Sequence, residues 1–162
     1  MRAFLSIIII FLLVLNSCNE GLAPPPPIAK SYIKGMITYK GGKPKWPPAD
    51  SVKDIRVVAF KNYPPANIIA ELTSGNAFYT ESLPKFTDTT SYILEFTKPP
   101  VYVKYLVVAQ NTGTIMDWRA IGVYTISGDQ TKPDSINVKE GMIYKDININ
   151  VDFDNLPPQP FH

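Results

Sequence analysis

Apolar and polar residues alternate along several short segments of this chain, a pattern typical of half-buried β-strands. In the segment 32–39, Ile33 and Ile37 share one face and polar side chains occupy the other. The turn sequence Gly-Gly-Lys-Pro at 41–44 ends this segment. Further strands are predicted at 52–60, 92–97, 101–110, 117–125, 135–138 and 143–153.

The segment 101–110 differs from the others because it is apolar on both faces. Strands that are buried on both faces lie in the middle of a sheet, so we expect this strand to be central. Segment 117–125 follows it after the turn residues Asn111, Thr112 and Gly113. The two segments are therefore predicted to form a β-hairpin.

One insertion interrupts the strand pattern. Two prolines precede it and Gly75 follows it, which is the usual order at the two ends of a helix. Its residues are Pro64, Pro65, Ala66, Asn67, Ile68, Ile69 and Leu72, followed by Ser74 and Gly75. We predict a short helix whose apolar face covers one open end of the fold. The whole pattern predicts an all-β fold, an antiparallel β-sandwich of about seven strands with one short helical insertion.

The N-terminal segment combines a positive charge, an apolar run and a cysteine. Arg2 precedes the apolar segment 3–15, which is shorter than the roughly 17 to 25 residues of a membrane-spanning helix. The sequence Leu-Asn-Ser-Cys that ends at Cys18 resembles the lipobox of bacterial lipoproteins. The resemblance implies that 1–17 is a signal peptide removed by cleavage and that Cys18 is the site of lipid attachment.

Cys18 is the only cysteine in the sequence, so it has no intramolecular disulfide partner. The alternative, an ordinary signal peptide with an incidental cysteine, leaves this lone exported thiol without a role. Each buried methylene contributes about 0.8 kcal/mol, so two or three acyl chains hold a protein firmly at a bilayer. We therefore expect an exported protein that contacts the membrane through its N-terminal lipid, at the periplasmic or the surface side of the bacterial outer membrane.

A proline-rich spacer follows the cysteine. Four consecutive prolines at 24–27 favour extended polyproline II, which makes a semi-rigid arm. Binding of the proline tract by an aromatic groove is the alternative use of such a sequence. The predicted organisation is a signal peptide at 1–17, a lipidated cysteine and tether at 18–30, a β-sandwich domain at 31–155 and a proline-rich tail at 156–162.

Composition narrows the range of partners. The 16 basic and 14 acidic residues nearly balance, so the charge indicates no nucleic-acid partner. About 125 residues beyond the tether is the usual size of one domain with one two-layer core. The 16 prolines and nine tyrosines favour the all-β class.

Several motifs together resemble a known family of domains. They are the strand Ile-Lys-Gly-Met-Ile-Thr-Tyr at 33–39, the turn at 41–44, the run Pro-Pro-Val-Tyr-Val-Lys-Tyr at 99–105 and Val-Lys-Glu-Gly at 138–141. This set, spread over 32–153, resembles carboxypeptidase-regulatory-like domains. The chain departs from the family at Val101, where members commonly have glycine.

The resemblance implies a transthyretin-like (prealbumin-like) sandwich, related in architecture to immunoglobulin-like folds. It also implies a non-catalytic module of exported and cell-surface proteins that supports folding, spacing or attachment. Fold alone does not assign a function, and the family has no active-site residue to compare with this chain.

An acidic and amide row ends the predicted domain. Its members alternate with Ile147, Ile149, Val151 and Phe153, and they are Asp146, Asn148, Asn150, Asp152 and Asp154. Side chains two apart on a strand are about 6.5 to 7 Å apart at the backbone, whereas oxygens that share a calcium ion lie within about 5 Å of each other. We therefore predict a solvated strand face. A weak cation site formed by Asp152, Asp154 and Asn155 stays open as the alternative.

Enzyme signatures are sparse in the sequence. The sole histidine, His162, is the last residue, and Cys18 is assigned to lipidation. The sequence contains no glycine-rich phosphate loop, metal-spaced His/Cys cluster or Gly-x-Ser-x-Gly elbow. Four carboxylates could still pair in space as glycosidases require, namely Glu71, Glu81, Asp88 and Glu95. We predict a protein that is not an enzyme and that has no cofactor and no metal.

Two tryptophans are the candidate ligand-binding residues. Trp46 lies among prolines in a predicted loop and Trp118 begins a predicted strand, so either ring could be an exposed platform for a sugar or peptide. The alternatives are packing of Trp46 on its own loop and a core or rim position for Trp118. We predict a non-catalytic structural or protein-interaction module of the envelope, with a surface glycan-binding protein as the alternative.

Overall fold

The computed structural model describes residues 26–160, so the predicted signal peptide, Cys18 and His162 lie outside the described part of the chain. This range contains ten β-strands and one short α-helix. The strands are β1 (Ser31–Tyr39), β2 (Asp54–Phe60), β3 (Ala77–Tyr79), β4 (Thr89–Phe96), β5 (Val101–Val103), β6 (Tyr105–Asn111), β7 (Trp118–Val123), β8 (Ile136–Val138), β9 (Ile143–Tyr144) and β10 (Ile149–Val151). The helix α1 spans Ile68–Thr73, and no helix within 26–160 has the length and hydropathy needed to span a bilayer.

The strands form two four-stranded sheets and a small two-stranded one. The first sheet has the order β10-β1-β4, and β9 also pairs with β1. The second sheet has the order β3-β2-β6-β7, and β5 pairs with β8. The prediction of an all-β sandwich is confirmed. The predicted hairpin is confirmed as well, because β6 and β7 pair antiparallel.

The pairing of β1 differs from the purely antiparallel arrangement that the sequence predicts. β4 runs antiparallel to β1, but β9 and β10 run parallel to it, with Ile37 opposite Ile149. A parallel neighbour requires the chain to cross the molecule before it returns, so no hairpin turn signals this pairing in the sequence.

The main core lies between the two sheets. Alternate residues of β1 and β4, such as Ile33 and Leu94, are fully buried and face Ile55 of β2 and Leu106 of β6 in the same cluster. Burying one such aliphatic side chain contributes about 1.5–3 kcal/mol relative to leaving it exposed. The period-two pattern therefore fixes which face of each strand points inward.

A second apolar layer covers the outer face of the second sheet. Its buried members are Phe60, Ala77, Tyr105, Val107, Ala109, Ala120 and Val123. All seven residues of β6 are buried, because this strand packs against the core on one face and this outer layer on the other. The prediction of a central strand that is apolar on both faces is confirmed for β6.

Two predicted strands are interrupted. Lys104 separates β5 from β6 within the predicted segment 101–110, and its N–H donates to Phe60 O at 2.9 Å. The last predicted strand, 143–153, is broken between β9 and β10. There Asp146 has a left-handed φ of 58°. The periodicity of the sequence continues through both breaks, so it does not reveal them.

The chain between β9 and β10 packs closely on β1. Ile147 N–H donates to Lys34 O at 3.1 Å, and the Tyr92 hydroxyl donates to Ile147 O at 2.6 Å. A Cβ at Gly35 would overlap this same carbonyl oxygen. Glycine is therefore required at Gly35 because backbone occupies the space of a side chain.

Helix α1 begins and ends where the sequence predicts. Asn67 caps it by accepting a hydrogen bond from Ala70 N at 2.7 Å, and Gly75 follows it with a φ of 68°. Its position differs from the prediction, because Ile68 and Leu72 lie over the outer face of the second sheet and not over an open end of the sandwich.

Candidate functional site

An apolar groove lies on the outer face of the second sheet. Its volume is about 270 Å³, and we call it the outer groove. It is lined by Arg56, Val58, Phe60, Ile68, Leu72, Tyr79, Tyr105, Val107, Ala109, Ile115, Trp118, Arg119, Ala120 and Pro160. An engineered apolar cavity of about 150 Å³ holds a benzene molecule, so this volume is sufficient for one aromatic or branched side chain.

The floor of the groove consists of strand residues that point away from the main core. Val58 of β2, Val107 of β6 and Ala120 of β7 belong to this outward set. The exposed face of a sheet usually carries polar residues, but these outward positions are apolar. The domain already covers most of this face, since Val107 and Ala120 are 2% and 5% exposed, and the groove is the space that remains over it.

The walls of the groove come from three segments outside the sheet. Helix α1 contributes Leu72, the β6–β7 loop contributes Ile115, and the tail contributes Pro160. Leu72 is 37% exposed and Ile115 is 74% exposed. Both side chains therefore remain available at the surface to a second molecule.

Glu71 fixes the loop before the helix, although it lies on a short helix at the surface of the sheet. The residue is 3% exposed, and its carboxylate accepts hydrogen bonds from Asn62 Nδ2 at 3.1 and 3.3 Å and from Ala66 N at 3.1 Å. A buried carboxylate needs such donors to offset its loss of hydration. Glu71 thus holds the groove wall in place.

Arg56, at one end of the groove, is one of the two arginines that line it, and it is already paired. Its Nε donates to Asp54 Oδ2 at 2.7 Å, and its guanidinium lies 5.5 Å from the centre of the Tyr79 ring. Partial burial opposes ionisation of Asp54, but hydrogen bonds from Ser82 and Arg56 outweigh it and lower the pKa of this carboxyl. Arg119, the second arginine of the lining, donates to the neutral Gln110 Oε1 at 3.0 and 3.1 Å, so the groove is apolar with a positive charge left at its rim.

Tyr105 closes the other end of the groove with aromatic contacts. Its ring centre lies 5.0 Å from that of Tyr63 and 6.0 Å from that of Phe60. Burial raises the pKa of Tyr105, and the nearby Tyr63 adds to this shift. The Tyr105 hydroxyl is therefore a neutral group of the groove at physiological pH.

Trp118, one of the two candidate ligand-binding residues, lines the outer groove. It is partly buried and packs against the outer apolar layer at the first residue of β7. The structure places it beside Ile115 and Pro160 in the groove lining. Its role as a ligand contact stays a prediction.

Trp46 lies in the main core and not on the surface. It is 9% exposed, and its indole Nε1 donates to Thr87 O at 2.8 Å. The rings of Tyr39, Phe153 and Phe86 surround it at centre distances of 4.4, 5.1 and 5.2 Å. These contacts cover the ring, so Trp46 is not an exposed platform, and the two tryptophans belong to different apolar clusters.

The acidic row at the end of the domain forms ion pairs with the β1 region. Asp152 accepts from Lys40 Nζ at 2.6 Å, and Asp154 accepts from Lys45 Nζ at 2.8 Å. The hydrogen bond from Lys40 lowers the pKa of Asp152. Asn148 Oδ1 accepts from Met36 N at 2.8 Å. Within 26–160 no three His, Cys, Asp or Glu side chains are grouped as metal ligands, and the two aspartates use lysines as partners.

Three of the four carboxylates that could have paired as catalytic acids have separate structural partners. Asp88 Oδ1 accepts from Lys43 N at 2.7 Å, and Glu95 pairs with Lys30 at 2.6 Å. Glu71 fixes the loop before α1 as described, and Glu81 is exposed. These interactions connect loops and strand ends of the sandwich.

The groove residues Leu72, Ile115 and Pro160 were not among the sequence candidates. The sequence signal that could have revealed the groove is the apolar character of both faces in β2 and β6, because only a cover or a partner on the outer face explains it.

Comparisons with protein-family models, with curated proteins and with solved structures give no match, so the resemblance to transthyretin-like domains stays a prediction.

Proposed function

We propose that this protein is a lipid-anchored, non-catalytic interaction module of the bacterial cell envelope. In this proposal Cys18 carries the lipid, the proline-rich tether spaces the domain from the membrane, and the outer groove binds an apolar segment of a partner protein. The observation that carries the proposal is the outer groove, an apolar surface whose walls include the exposed side chains of Leu72 and Ile115.

The composition of the groove favours a polypeptide partner. Its floor is aliphatic, and its two arginines are already hydrogen-bonded, Arg56 to Asp54 and Arg119 to Gln110. An apolar side chain that becomes buried in such a groove contributes about 1.5–3 kcal/mol, and it requires no polar partner there. A sugar ring would leave several hydroxyls to be satisfied against this aliphatic surface.

Glycan binding remains the second candidate because two of the four aromatic side chains that line the groove are at least partly exposed. Tyr79 is 54% exposed and Trp118 is partly buried, and both belong to the lining. Amphipathic rings of this type provide flat contact surfaces for ligands. Retention of the intact lipoprotein on envelope polysaccharide alone would favour this function over the protein partner.

The protein-partner proposal is tested by site-specific photocrosslinking in intact envelopes. A photoreactive residue at Ile115 is expected to give discrete crosslinked protein bands, and the substitution Leu72→Asp is expected to reduce these bands at least tenfold. A photoreactive residue at Ile126, which is 80% exposed and lies outside the groove, is the matched control. Equal crosslinking from both positions, or bands unchanged by Leu72→Asp, would contradict the proposal.

A further inference from the structure

The outer edge of β7 is occupied by a side chain from the tail. Ala120 N–H donates to Gln159 Oε1 at 2.8 Å, and Gln159 Nε2 donates to Ala120 O at 3.0 Å. A residue on a neighbouring antiparallel strand makes the same pair of hydrogen bonds with its own N–H and C=O. The carboxamide of Gln159 therefore takes the place of a strand backbone at this position.

A second glutamine accepts one hydrogen bond further along the edge. Val123 N–H donates to Gln130 Oε1 at 3.2 Å. Within 26–160 the strand pairing of β7 is with β6, and on its other edge the two glutamine side chains bond Ala120 and Val123. Covering an edge in this way prevents uncontrolled pairing with other strands.

The tail cannot form a regular strand beside β7. Pro157, Pro158 and Pro160 lack the N–H that a ladder of hydrogen bonds requires. Gln159 Nε2 also donates to Pro157 O at 2.9 Å, which holds the side chain across the edge. The tail thus covers the edge at Ala120 through one side chain, and a true strand could replace it with a longer ladder.

The edge and the outer groove adjoin each other. Pro160 and Ala120 both line the groove, and the Ala120 side chain belongs to the outer apolar layer. Residues that pair across two strands place their side chains on the same face of the sheet. A partner residue opposite Ala120 would therefore direct its side chain into the groove.

We propose that the edge of β7 and the outer groove together form a strand-addition site for an extended polypeptide, and that Gln159 covers this site until the partner displaces it. The partner backbone takes over the N–H and C=O of Ala120, and an apolar partner side chain enters the groove beside Trp118. This inference rests on the proposed function and defines its partner as an extended segment with an apolar side chain at the central position.

The test uses the full-length lipoprotein in nanodiscs and a synthetic heptapeptide that alternates lysine with valine and has phenylalanine at the centre. Affinity is measured by fluorescence anisotropy, and binding is localised by the NMR shift of the Ala120 amide. Gln159→Ala is expected to increase affinity for the peptide at least tenfold. The same peptide with N-methylated backbone amides is expected to lose binding, because it cannot donate hydrogen bonds to the strand edge.

The control variants distinguish the effect of uncovering the β7 edge from a general destabilisation of the domain. Asn155→Ala changes an exposed residue just before the tail and is expected to leave the affinity unchanged. Gln159→Glu keeps the size of the side chain but cannot donate to Ala120 O, so this variant is also expected to increase the affinity for the peptide. It serves as the test variant if Gln159→Ala fails to fold. Equal affinity in all variants, binding of the N-methylated peptide, or no binding by any variant would overturn the inference.

The peptide-binding test and the crosslinking test of the proposed function can fail separately. If peptide binding fails while crosslinking at Ile115 persists, the groove binds its partner without strand addition. If both fail, the proposed function itself is overturned.

Discussion

Gly122 of β7 lies directly against the backbone of Asn150 of β10. A Cβ at Gly122 would stand 2.7 Å from Asn150 O and 2.9 Å from a methyl group of Val151. β7 is an edge of the second sheet and β10 is an edge of the first. This glycine therefore allows the two sheets to approach each other along one side of the sandwich.

Gly122→Ala is expected to destabilise the domain by about 1–3 kcal/mol, because the added methyl group forces the two strands apart. Chemical unfolding followed by circular dichroism measures the change. Gly128→Ala is the matched control, since a Cβ there meets open space and only its φ of 79° opposes the substitution. If Gly122→Ala lowers the free energy of unfolding no more than Gly128→Ala does, the two sheets are not in tight contact at Gly122.

Trp46→Ala is expected to cost about 3–5 kcal/mol of unfolding free energy, because it leaves a cavity in the main core. Trp118→Ala is expected to cost less, since this ring is only partly buried at the groove. Chemical unfolding of the two variants measures both changes in unfolding free energy. In the single-tryptophan proteins Trp118→Phe and Trp46→Phe, acrylamide should quench Trp118 more strongly than Trp46, and the opposite order would contradict the assignment of the two rings.

The carboxyl of Asp54, at one end of the groove, makes the free energy of unfolding of the domain depend on pH in the acid range. Its folded-state pKa lies below the ordinary value of 3.8, so its stabilising contribution is complete above pH 3.8 and is lost as the pH falls through the folded-state pKa. Asp54→Asn should therefore be less stable than the wild type at pH 7, and the difference should shrink at pH 2–3. Urea unfolding at both pH values measures this, and a difference that does not depend on pH would exclude the ion pair with Arg56 as its cause.

Lipid attachment at Cys18 is a prediction from the sequence that labelling can check. Cells grown with radioactive palmitate are expected to label the protein, and Cys18→Ala is expected to abolish the label and to release the protein from the membrane fraction. An unlabelled wild-type protein, together with unchanged fractionation of the variant, would contradict the anchor. Ser17→Ala, which keeps a small residue before the cysteine, is the matched control and should retain the label.

The sequence predicts those elements whose signals are local. β1 follows from its alternation, the β6–β7 hairpin follows from two apolar segments and the turn between them, and α1 follows from the prolines before it and Gly75 after it. In each case the residues that determine the element lie inside it or next to it.

The sequence does not predict features that depend on distant contacts. The break between β9 and β10 requires the backbone of Ile147 to meet Gly35, and periodicity carries no information about that contact. The outer groove likewise arises only when α1, the loop at Ile115 and the tail converge on one sheet face. Trp46 shows the same limit, because it lies in a loop as predicted, but only its distant aromatic neighbours show that the ring is buried.

The parallel pairing of β1 with β10 also determines when the domain can fold during synthesis. Contacts between these regions join residues 112 positions apart, as from Met36 to Asn148. A nascent chain that has emerged only as far as residue 140 still lacks one whole side of its first sheet. The domain is therefore completed only when nearly all of its chain is present, and until then the edge of β1 that β9 and β10 occupy has no strand partner.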